Sequence, residues 1–164
     1  MPTDETIALL PRLTTDNFEF KSCQLLMWGS GKDGRCGNNS EEGFKIPTHI
    51  KVMSGKAGKM AFSSLDCVYH HTAAVSDKGQ VYTWGRGVFG QLGHSNTDNV
   101  RVPTMVRGLI YKKTIIQVAC GWQHTLCLTQ DGSVFSWGYG EDGQLGHNDT
   151  EDSLSPKEVD FFKQ

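Results

Sequence analysis

The apolar residues of this chain come in short alternating runs that glycine-rich polar stretches separate. In the run 81–84, Tyr82 and Trp84 share one face of a strand, because successive side chains of a strand point to opposite sides. Similar runs mark candidate strands at 25–28, 60–65, 72–76, 116–120, 126–128 and 135–137. No window carries an apolar stripe of helical period over more than two turns. The pattern therefore predicts an all-β fold.

These runs belong to a unit that recurs along the chain. Trp28, Trp84 and Trp137 each begin a Trp-Gly-x-Gly sequence, with spacings of 56 and then 53 residues. The same residue types follow each tryptophan at fixed distances, a glycine at six, a glycine at nine and a proline at nineteen: Gly34, Gly90 and Gly143; Gly37, Gly93 and Gly146; Pro47, Pro103 and Pro156. His71 and His124 each stand thirteen residues before their tryptophan. Self-similarity at this period indicates a repeat architecture.

Each unit predicts a small antiparallel sheet. Asp77-Lys78-Gly79 separates two runs as a tight turn, because glycine supplies the positive φ that hairpin turns need. Ile46, Ile50 and Val52 alternate around Pro47, which fits a short outer strand with the proline at its start or on an edge. Such a sheet has two partly apolar faces, so it gains stability by stacking on another sheet. We expect the tryptophans to fill the seams between stacked sheets.

The segments VACGWQHTLCLTQDGSVFSWGYGEDGQLGH and HTAAVSDKGQVYTWGRGVFGQLGH resemble the repeats of the regulator of chromosome condensation family, whose members form seven-bladed β-propellers. The resemblance implies a partial β-propeller of two to three four-stranded antiparallel blades. Its units are a half repeat at 24–53 and repeats at 54–107 and 108–160, with an N-terminal extension at 1–23 and a tail at 161–164. The structural positions of the repeat are then Trp28, Trp84, Trp137, Gly93, Gly146, His71 and His124. Two and a half repeats leave the ring incomplete, so we expect self-association.

Members of this family serve several functions, among them nucleotide exchange on the small GTPase Ran, ultraviolet-B sensing in plants and partner binding beside ubiquitin-ligase or kinase domains. The loop tips differ between the copies while the surrounding positions stay constant, which favours a protein-interaction module or scaffold. The candidate partner-binding residues are Arg86, Phe89, Tyr139, Glu141 and Asp142. For Phe89 and Tyr139 the alternative is packing against a neighbouring blade. The expected partner is a protein, with a small GTPase as one candidate, and no membrane is expected.

Two alternative functions remain open. Guanine-nucleotide exchange on a Ran-like GTPase is implied by the resemblance alone. Chromatin or nucleic-acid association follows from the charge distribution, because residues 43–113 carry ten basic and three acidic side chains although the net charge of the chain is -2. The candidate basic residues are Lys51, Lys56, Lys59, Arg101, Arg107, Lys112 and Lys113.

Other residue patterns indicate structure more than chemistry. His71 and His124 recur at equivalent positions, and Cys67 and Cys120 lack the paired spacing of a zinc site. We therefore predict no catalytic residue, metal or cofactor, and no enzyme. Trp122 stands in a Gly-Trp-Gln-His-Thr segment that is similar to a motif of the plant ultraviolet-B photoreceptor, but Gln123 replaces its arginine, so we expect a packing role.

Targeting signals, membrane segments and cysteines in the sequence indicate the cellular location. Residues 1–20 lack the basic start and apolar core of a secretory signal, and no run approaches the length of a membrane helix. The five cysteines form no dense framework, which suits a reducing compartment. We expect a cytoplasmic or nuclear protein.

Overall fold

Three antiparallel sheets follow one another along the chain in the computed structural model, which describes residues 6–9 (backbone only), 25–50 and 60–162. Blade 1 consists of β1 (Thr6–Leu9), β2 (Leu26–Gly29) and β3 (Phe44–His49). Blade 2 consists of β4 (Phe62–Val68), β5 (His71–Ser76), β6 (Val81–Gly85) and β7 (Val100–Met105). Blade 3 consists of β8 (Ile115–Cys120), β9 (His124–Thr129), β10 (Val134–Gly138) and β11 (Ser153–Glu158).

Neighbouring strands in each blade are consecutive along the chain, in the orders β1-β2-β3, β4-β5-β6-β7 and β8-β9-β10-β11. Three short 3-10 helices lie between or after the strands of the described chain: Lys32–Gly34, Gly108–Ile110 and Asp160–Phe162. The prediction of an all-β fold with four-stranded antiparallel blades is confirmed. The three sheets that the structure describes do not close into a ring.

Blade 1 contains a strand that the apolar pattern did not predict. β1 pairs antiparallel with β2, so that Thr6 lies opposite Gly29. In blade 2 His71 lies opposite Gly85, and in blade 3 His124 lies opposite Gly138. β1 therefore occupies the position of the second strand of a blade, although its residues fall in the segment predicted as an extension.

The repeated prolines lie in strands at a sheet edge. Pro47, Pro103 and Pro156 belong to β3, β7 and β11, each the last strand of its sheet. An edge strand tolerates proline because the missing N–H can face away from the ladder. The predicted edge strand around Pro47 is confirmed, while Val52 lies outside the described residues.

A β-bulge changes which face two isoleucines occupy. The register of β8 against β9 shifts between Ile115 and Gln117, as does that of β4 against β5 between Phe62 and Ser64. An extra residue in a strand reverses the alternation of its side chains. Ile115 is consequently buried and Ile116 is 49% exposed. Ile116 and Val118 therefore lie on different faces, although they stand two residues apart in the candidate strand 116–120.

Two apolar seams join the blades. The seam between blades 1 and 2 contains Leu25, Met27, Ile50, Phe62, Ala74, Tyr82 and Trp84. The seam between blades 2 and 3 contains Ala73, Val75, Val81, Val106, Ile110, Ile115, Val118, Cys127, Phe135 and Trp137. Trp84 and Trp137 are each 0% exposed, so each indole is a central part of its seam.

One backbone carbonyl organises the polar part of each seam. The indole Nε1 of Trp137 donates a hydrogen bond to the carbonyl oxygen of Gln91 at 2.9 Å, and the hydroxyl of Thr125 donates to the same oxygen at 2.8 Å. In the first seam Trp84 and Thr72 donate to the carbonyl oxygen of Arg35 at 3.0 and 3.1 Å. A carbonyl oxygen has two lone pairs and accepts both bonds.

The glycine two residues after each of these carbonyls lies against the indole. A Cβ at Gly93 would lie 2.7 Å from Nε1 of Trp137, and one at Gly37 would lie 2.8 Å from Nε1 of Trp84. Any side chain there would displace a buried ring. The recurrence of glycine nine residues after Trp28 and Trp84 thus follows from the geometry of the seam, because each of these glycines lies against the tryptophan of the next blade.

His71 extends the second seam. Its Nε2 lies 2.8 Å from the hydroxyl oxygen of Thr125. The hydroxyl proton of Thr125 is used on Gln91, so Nε2 of His71 carries the proton and donates. Burial, with a smaller effect of the neighbouring His124 and His70, lowers the pKa of His71 to about 3. His71 is therefore neutral throughout the physiological range.

We expect Trp137→Ala to lower the free energy of unfolding by about 3–5 kcal/mol, because it removes a fully buried ring from the seam. Urea unfolding followed by circular dichroism measures the change. Trp122→Ala is the matched control: this tryptophan is 62% exposed, so its replacement should change stability by about 0.5 kcal/mol or less. Equal losses for both variants would contradict the packing described for the seam.

Stability should fall on acidification through His71. The pKa of a histidine is near 6.5 in the unfolded chain and about 3 for folded His71, so between these values the unfolded state binds more protons. Going from about pH 7.5 to about pH 5 should cost about 2 kcal/mol through this residue. His71→Gln still offers an N–H donor, from its side-chain amide, and removes the group that titrates. Between about pH 7.5 and about pH 5, the unfolding free energy of the variant should therefore fall by about 2 kcal/mol less than that of the wild type. Identical pH profiles for the two proteins would refute the assignment.

Candidate functional site

The loops after β6 and β10 bring the predicted partner-binding residues into one group. The guanidinium of Arg86 lies 5.9 Å from the ring centroid of Phe89, and the rings of Phe89 and Tyr139 meet edge to face at 5.4 Å. The phenol of Tyr139 donates to Oε2 of Glu141 at 2.7 Å, and Asp142 follows next in the chain. We call these five residues the loop cluster. It crosses the seam between blades 2 and 3.

The loop cluster is built on a repeated backbone structure. The side-chain oxygen of Asn99 accepts from the N–H of Gly87 at 3.0 Å, and that of Asp152 accepts from the N–H of Gly140 at 2.7 Å. In the same way Oε1 of Gln91 accepts from Phe89 N–H and Oε1 of Gln144 accepts from Asp142 N–H, both at 2.9 Å. The two loops therefore have matching conformations and differ in the side chains at their tips.

The cluster is partly exposed. Arg86, Phe89 and Tyr139 are half-buried, whereas Glu141 and Asp142 are exposed. Phe89 and Tyr139 pack on each other across the blades, as the packing alternative predicts, and both remain partly exposed. The hydrogen bond to Glu141, with further nearby carboxylates, raises the pKa of Tyr139 to about 12. Its phenol therefore keeps its proton at neutral pH.

A second pair of aromatic residues lies at the same end of the blades. Tyr69 is in the turn between β4 and β5, and Trp122 is in the turn between β8 and β9. Their ring centroids are 5.6 Å apart, and the residues are 50% and 62% exposed. We call them the inner aromatic pair. Trp122, for which we expected a packing role, packs against Tyr69 but is mostly exposed, because it sits at the tip of a hairpin.

Backbone hydrogen bonds connect the inner turns to the loop cluster. The N–H of Arg86 donates to the carbonyl of His70, and the N–H of Tyr139 donates to the carbonyl of Gln123, both at 2.9 Å. Each inner turn is therefore fixed against the start of the loop that carries an aromatic tip. The loop cluster and the inner aromatic pair form one surface at one end of blades 2 and 3.

Arg35 connects this surface to blade 1. It stands where the other copies have glutamine, is 1% exposed, and donates from its guanidinium to the carbonyls of Lys32 and Tyr69. Asp33 lies 3.4 Å from the same guanidinium. Tyr69 has a φ of +44°, a conformation rare for a residue with a bulky side chain. The departure from the repeat at Arg35 was the sequence signal for this contact, but nothing near it identified Tyr69 as the partner.

The charges near the surface are mainly acidic on blade 3. Glu141, Asp142, Glu151 and Asp152 are exposed there. Three of the predicted basic residues have neighbours of their own: Arg101 pairs with Glu41 at 2.5 Å, Lys113 pairs with Asp131 at 3.3 Å, and Arg107 lies over the ring of Tyr111. Lys112 is exposed. Lys51, Lys56 and Lys59 lie outside the described residues.

His94 and His147 have structural contacts. Nε2 of His94 lies 3.0 Å from the hydroxyl of Thr83, and that hydroxyl donates to the carbonyl of Leu92. His147 makes the same contact with Ser136 in blade 3. Burial lowers the pKa of both histidines. Within the described ranges no cluster of three or more His, Cys, Asp or Glu side chains is placed to hold a metal ion, and no helix is long and apolar enough to cross a membrane.

Comparison with known proteins identifies the repeat. The family model for the regulator of chromosome condensation (RCC1) repeat matches residues 24–75, 78–128 and 131–164. The chain is 40% identical over 137 residues to the Ultraviolet-B receptor UVR8 of Arabidopsis thaliana. The aligned segment covers 83% of this chain and 30% of UVR8. It is 37% identical over 132 residues to the E3 ubiquitin-protein ligase HERC2 of Homo sapiens. That segment covers 80% of this chain and 3% of HERC2.

Solved structures share the fold. Prp20p from Saccharomyces cerevisiae superposes with a TM-score of 0.72 at 23% identity, covering 85% of this chain and 34% of Prp20p. Human WBSCR16 superposes with a TM-score of 0.70 at 26% identity, covering 82% of this chain and 34% of WBSCR16. The chain thus spans about a third of UVR8 and of these two structures.

The matched units are offset from the blades. Residues 24–75 run from β2 to β5 and residues 78–128 run from β6 into β9, so each unit contributes strands to two successive blades. The seams between blades consequently fall inside the units. With matches over nearly the whole length, the chain belongs to the regulator of chromosome condensation (RCC1) repeat family.

Proposed function

We propose that this chain is a protein-interaction module, and that the loop cluster together with the inner aromatic pair is its binding surface. The observation that carries the proposal is the grouping of four partly exposed aromatic residues, Tyr69, Phe89, Trp122 and Tyr139, at one end of adjacent blades. Aromatic residues and arginine carry much of the binding energy in protein interfaces. No catalytic step is assigned to this surface.

The surface is also ordered in advance of binding. The backbone N–H groups of the loops donate hydrogen bonds to the side-chain oxygens of Asn99, Gln91, Asp152 and Gln144, and backbone bonds join the inner turns to the loops. Binding would therefore cost little free energy for ordering these loops, because they need not change conformation.

The charges favour a partner with a basic surface. Glu141 and Asp142 border Tyr139, and the exposed Glu151 and Asp152 belong to the same blade. Complementary charges of this kind mainly raise association rates and select among partners. We infer a protein partner that places an apolar side chain on the aromatic residues and basic side chains beside blade 3.

The relatives support a role in protein binding at the level of the family. They include an E3 ubiquitin-protein ligase and a receptor, and the structure of Prp20p is described together with its binding to Gsp1p and histones. Two narrower candidates follow from the last description: guanine-nucleotide exchange on a Ran-like GTPase, and association with chromatin. The acidic residues around the loop cluster favour basic proteins over nucleic acid as partners of this surface.

Loss of the aromatic tips should remove partner binding. We expect Phe89→Ala with Tyr139→Ala, and separately Trp122→Ala, to weaken binding at least about tenfold. The measurement is quantitative affinity capture with the full chain, followed by titration of each purified partner. Leu109→Ala is the control, because Leu109 is 67% exposed and lies after β7, at the opposite end of blade 2. Equal binding by folded variants and wild type would contradict the proposed surface.

The exchange candidate has its own test. A Ran-like GTPase loaded with a fluorescent guanine nucleotide should release it faster in the presence of the full chain, and the double variant at Phe89 and Tyr139 should lose that effect. Release at the intrinsic rate would eliminate exchange activity and leave the binding function to be judged by the capture experiment.

A further inference from the structure

The seam contacts have a third set of acceptor positions on blade 3. Gln144 follows Gln91 by 53 residues, the same spacing that separates Trp137 from Trp84. Gly146 likewise corresponds to Gly93. The loop hydrogen bond of Gln144 to Asp142 N–H matches that of Gln91 to Phe89 N–H, so the backbone of this third loop has the same form. Gln144 therefore presents its carbonyl as Gln91 does in the second seam.

The described residues leave this third set open. A Cβ at Gly146 would meet only Val159 at 3.4 Å, and one at Gly143 would meet nothing within 4 Å. At the equivalent Gly90 a Cβ would lie 2.5 Å from the Leu154 side chain of the next blade. Gly146 is exposed, whereas Gly93 is buried under the indole of Trp137.

The sheet face beside Gln144 is open in the same way. Ala73, Val75 and Val81 of blade 2 face blade 3 and are 0–2% exposed. Their counterparts in blade 3, at the same spacing, are the half-buried Leu126, Leu128 and Val134. His124, the counterpart of the fully buried His71, is also half-buried. We call Leu126, Leu128, Val134, His124 and Gln144 the open face.

Blade 1 carries the complementary element. Trp28 lies opposite Ile7 in the ladder, as Trp84 lies opposite Thr72 and Trp137 opposite Thr125. Met27 packs in the seam towards blade 2, so the side chain of Trp28 projects from the other face of blade 1. This is the orientation that Trp84 and Trp137 have towards the blade before them.

We propose that the open face of blade 3 binds blade 1 of a second copy of this chain, with the indole of Trp28 donating to the carbonyl of Gln144. The contact would repeat three features of the seams within the chain: an indole N–H on a loop carbonyl, a glycine against the ring, and an apolar sheet face. Ile7 stands at the register position that threonine occupies in both seams. Because the two surfaces differ, the pairing is head to tail, and it either closes a ring or extends an array. The contact uses the side of blade 3, whereas the proposed partner surface lies at the end of the blades, so the two proposals can be tested independently.

Sedimentation velocity with the full chain tests the pairing. The wild type should form dimers or larger assemblies as its concentration rises between about 1 and 100 µM. Leu126→Asp should weaken the association at least about tenfold, because it places a charge in the contact. Leu109→Asp is the control, since it charges an exposed leucine away from both surfaces and should leave the association unchanged.

Mixing two variants tests the head-to-tail arrangement. Leu126→Asp keeps an intact blade 1, and Trp28→Ala keeps an intact open face, so each alone should be monomeric and an equimolar mixture should form a one-to-one dimer. Trp28→Phe, which keeps the ring and loses the N–H, should weaken association less than Trp28→Ala. Matching circular dichroism spectra and thermal melts with the wild type show that the variants are folded.

Three results would overturn the proposal. The first is a wild type that stays monomeric over the whole concentration range. This result overturns the proposal even if the monomer binds an added RCC1-type blade from another protein, because the occupant of the open face would then not be a second copy. The second is association that Leu126→Asp and Leu109→Asp affect equally. The third is failure of the two folded variants to pair, which would mean a contact between like surfaces in place of the head-to-tail contact.

Discussion

The seam carbonyls of Arg35 and Gln91 are the constraint on which the rest of the structure depends. Each accepts one hydrogen bond from a tryptophan indole and one from a threonine hydroxyl, and both donors are buried. An unpaired buried donor costs free energy, so the three groups must stay together. This requirement fixes the distance between blades, places glycine against the indole, and positions the loops that carry the surface residues.

The same constraint explains why the loop tips are free to differ. The backbone of each loop is held by its glutamine and by an asparagine or aspartate before the outer strand, while the side chains of Phe89 and Tyr139 take no part in those bonds. Side chains at the tips can therefore change without loss of the seam. A scaffold of this kind separates residues that maintain the fold from residues that select a partner.

Much of this organisation could be predicted from the sequence, because it is periodic. The strands and the edge prolines follow from residues at equal spacing. What could not be predicted depends on single contacts that do not repeat. β1 has no counterpart motif, Trp122 is exposed because of its place in a tight turn, and Arg35 reaches Tyr69 across 34 residues of chain. The bulge at Ile116 is likewise set by pairing with β9 and leaves no local pattern.

The offset between the repeat units and the blades has a consequence for how the chain folds. The carbonyl and the threonine of each seam belong to one unit and are 37 and 34 residues apart. Each unit can thus form half of a seam from its own residues before any neighbour is in place. In repeat proteins this kind of locality allows structure to nucleate in one unit and spread to the next. Folding of this chain should then proceed stepwise along the array, with the tryptophan of the following unit completing each step.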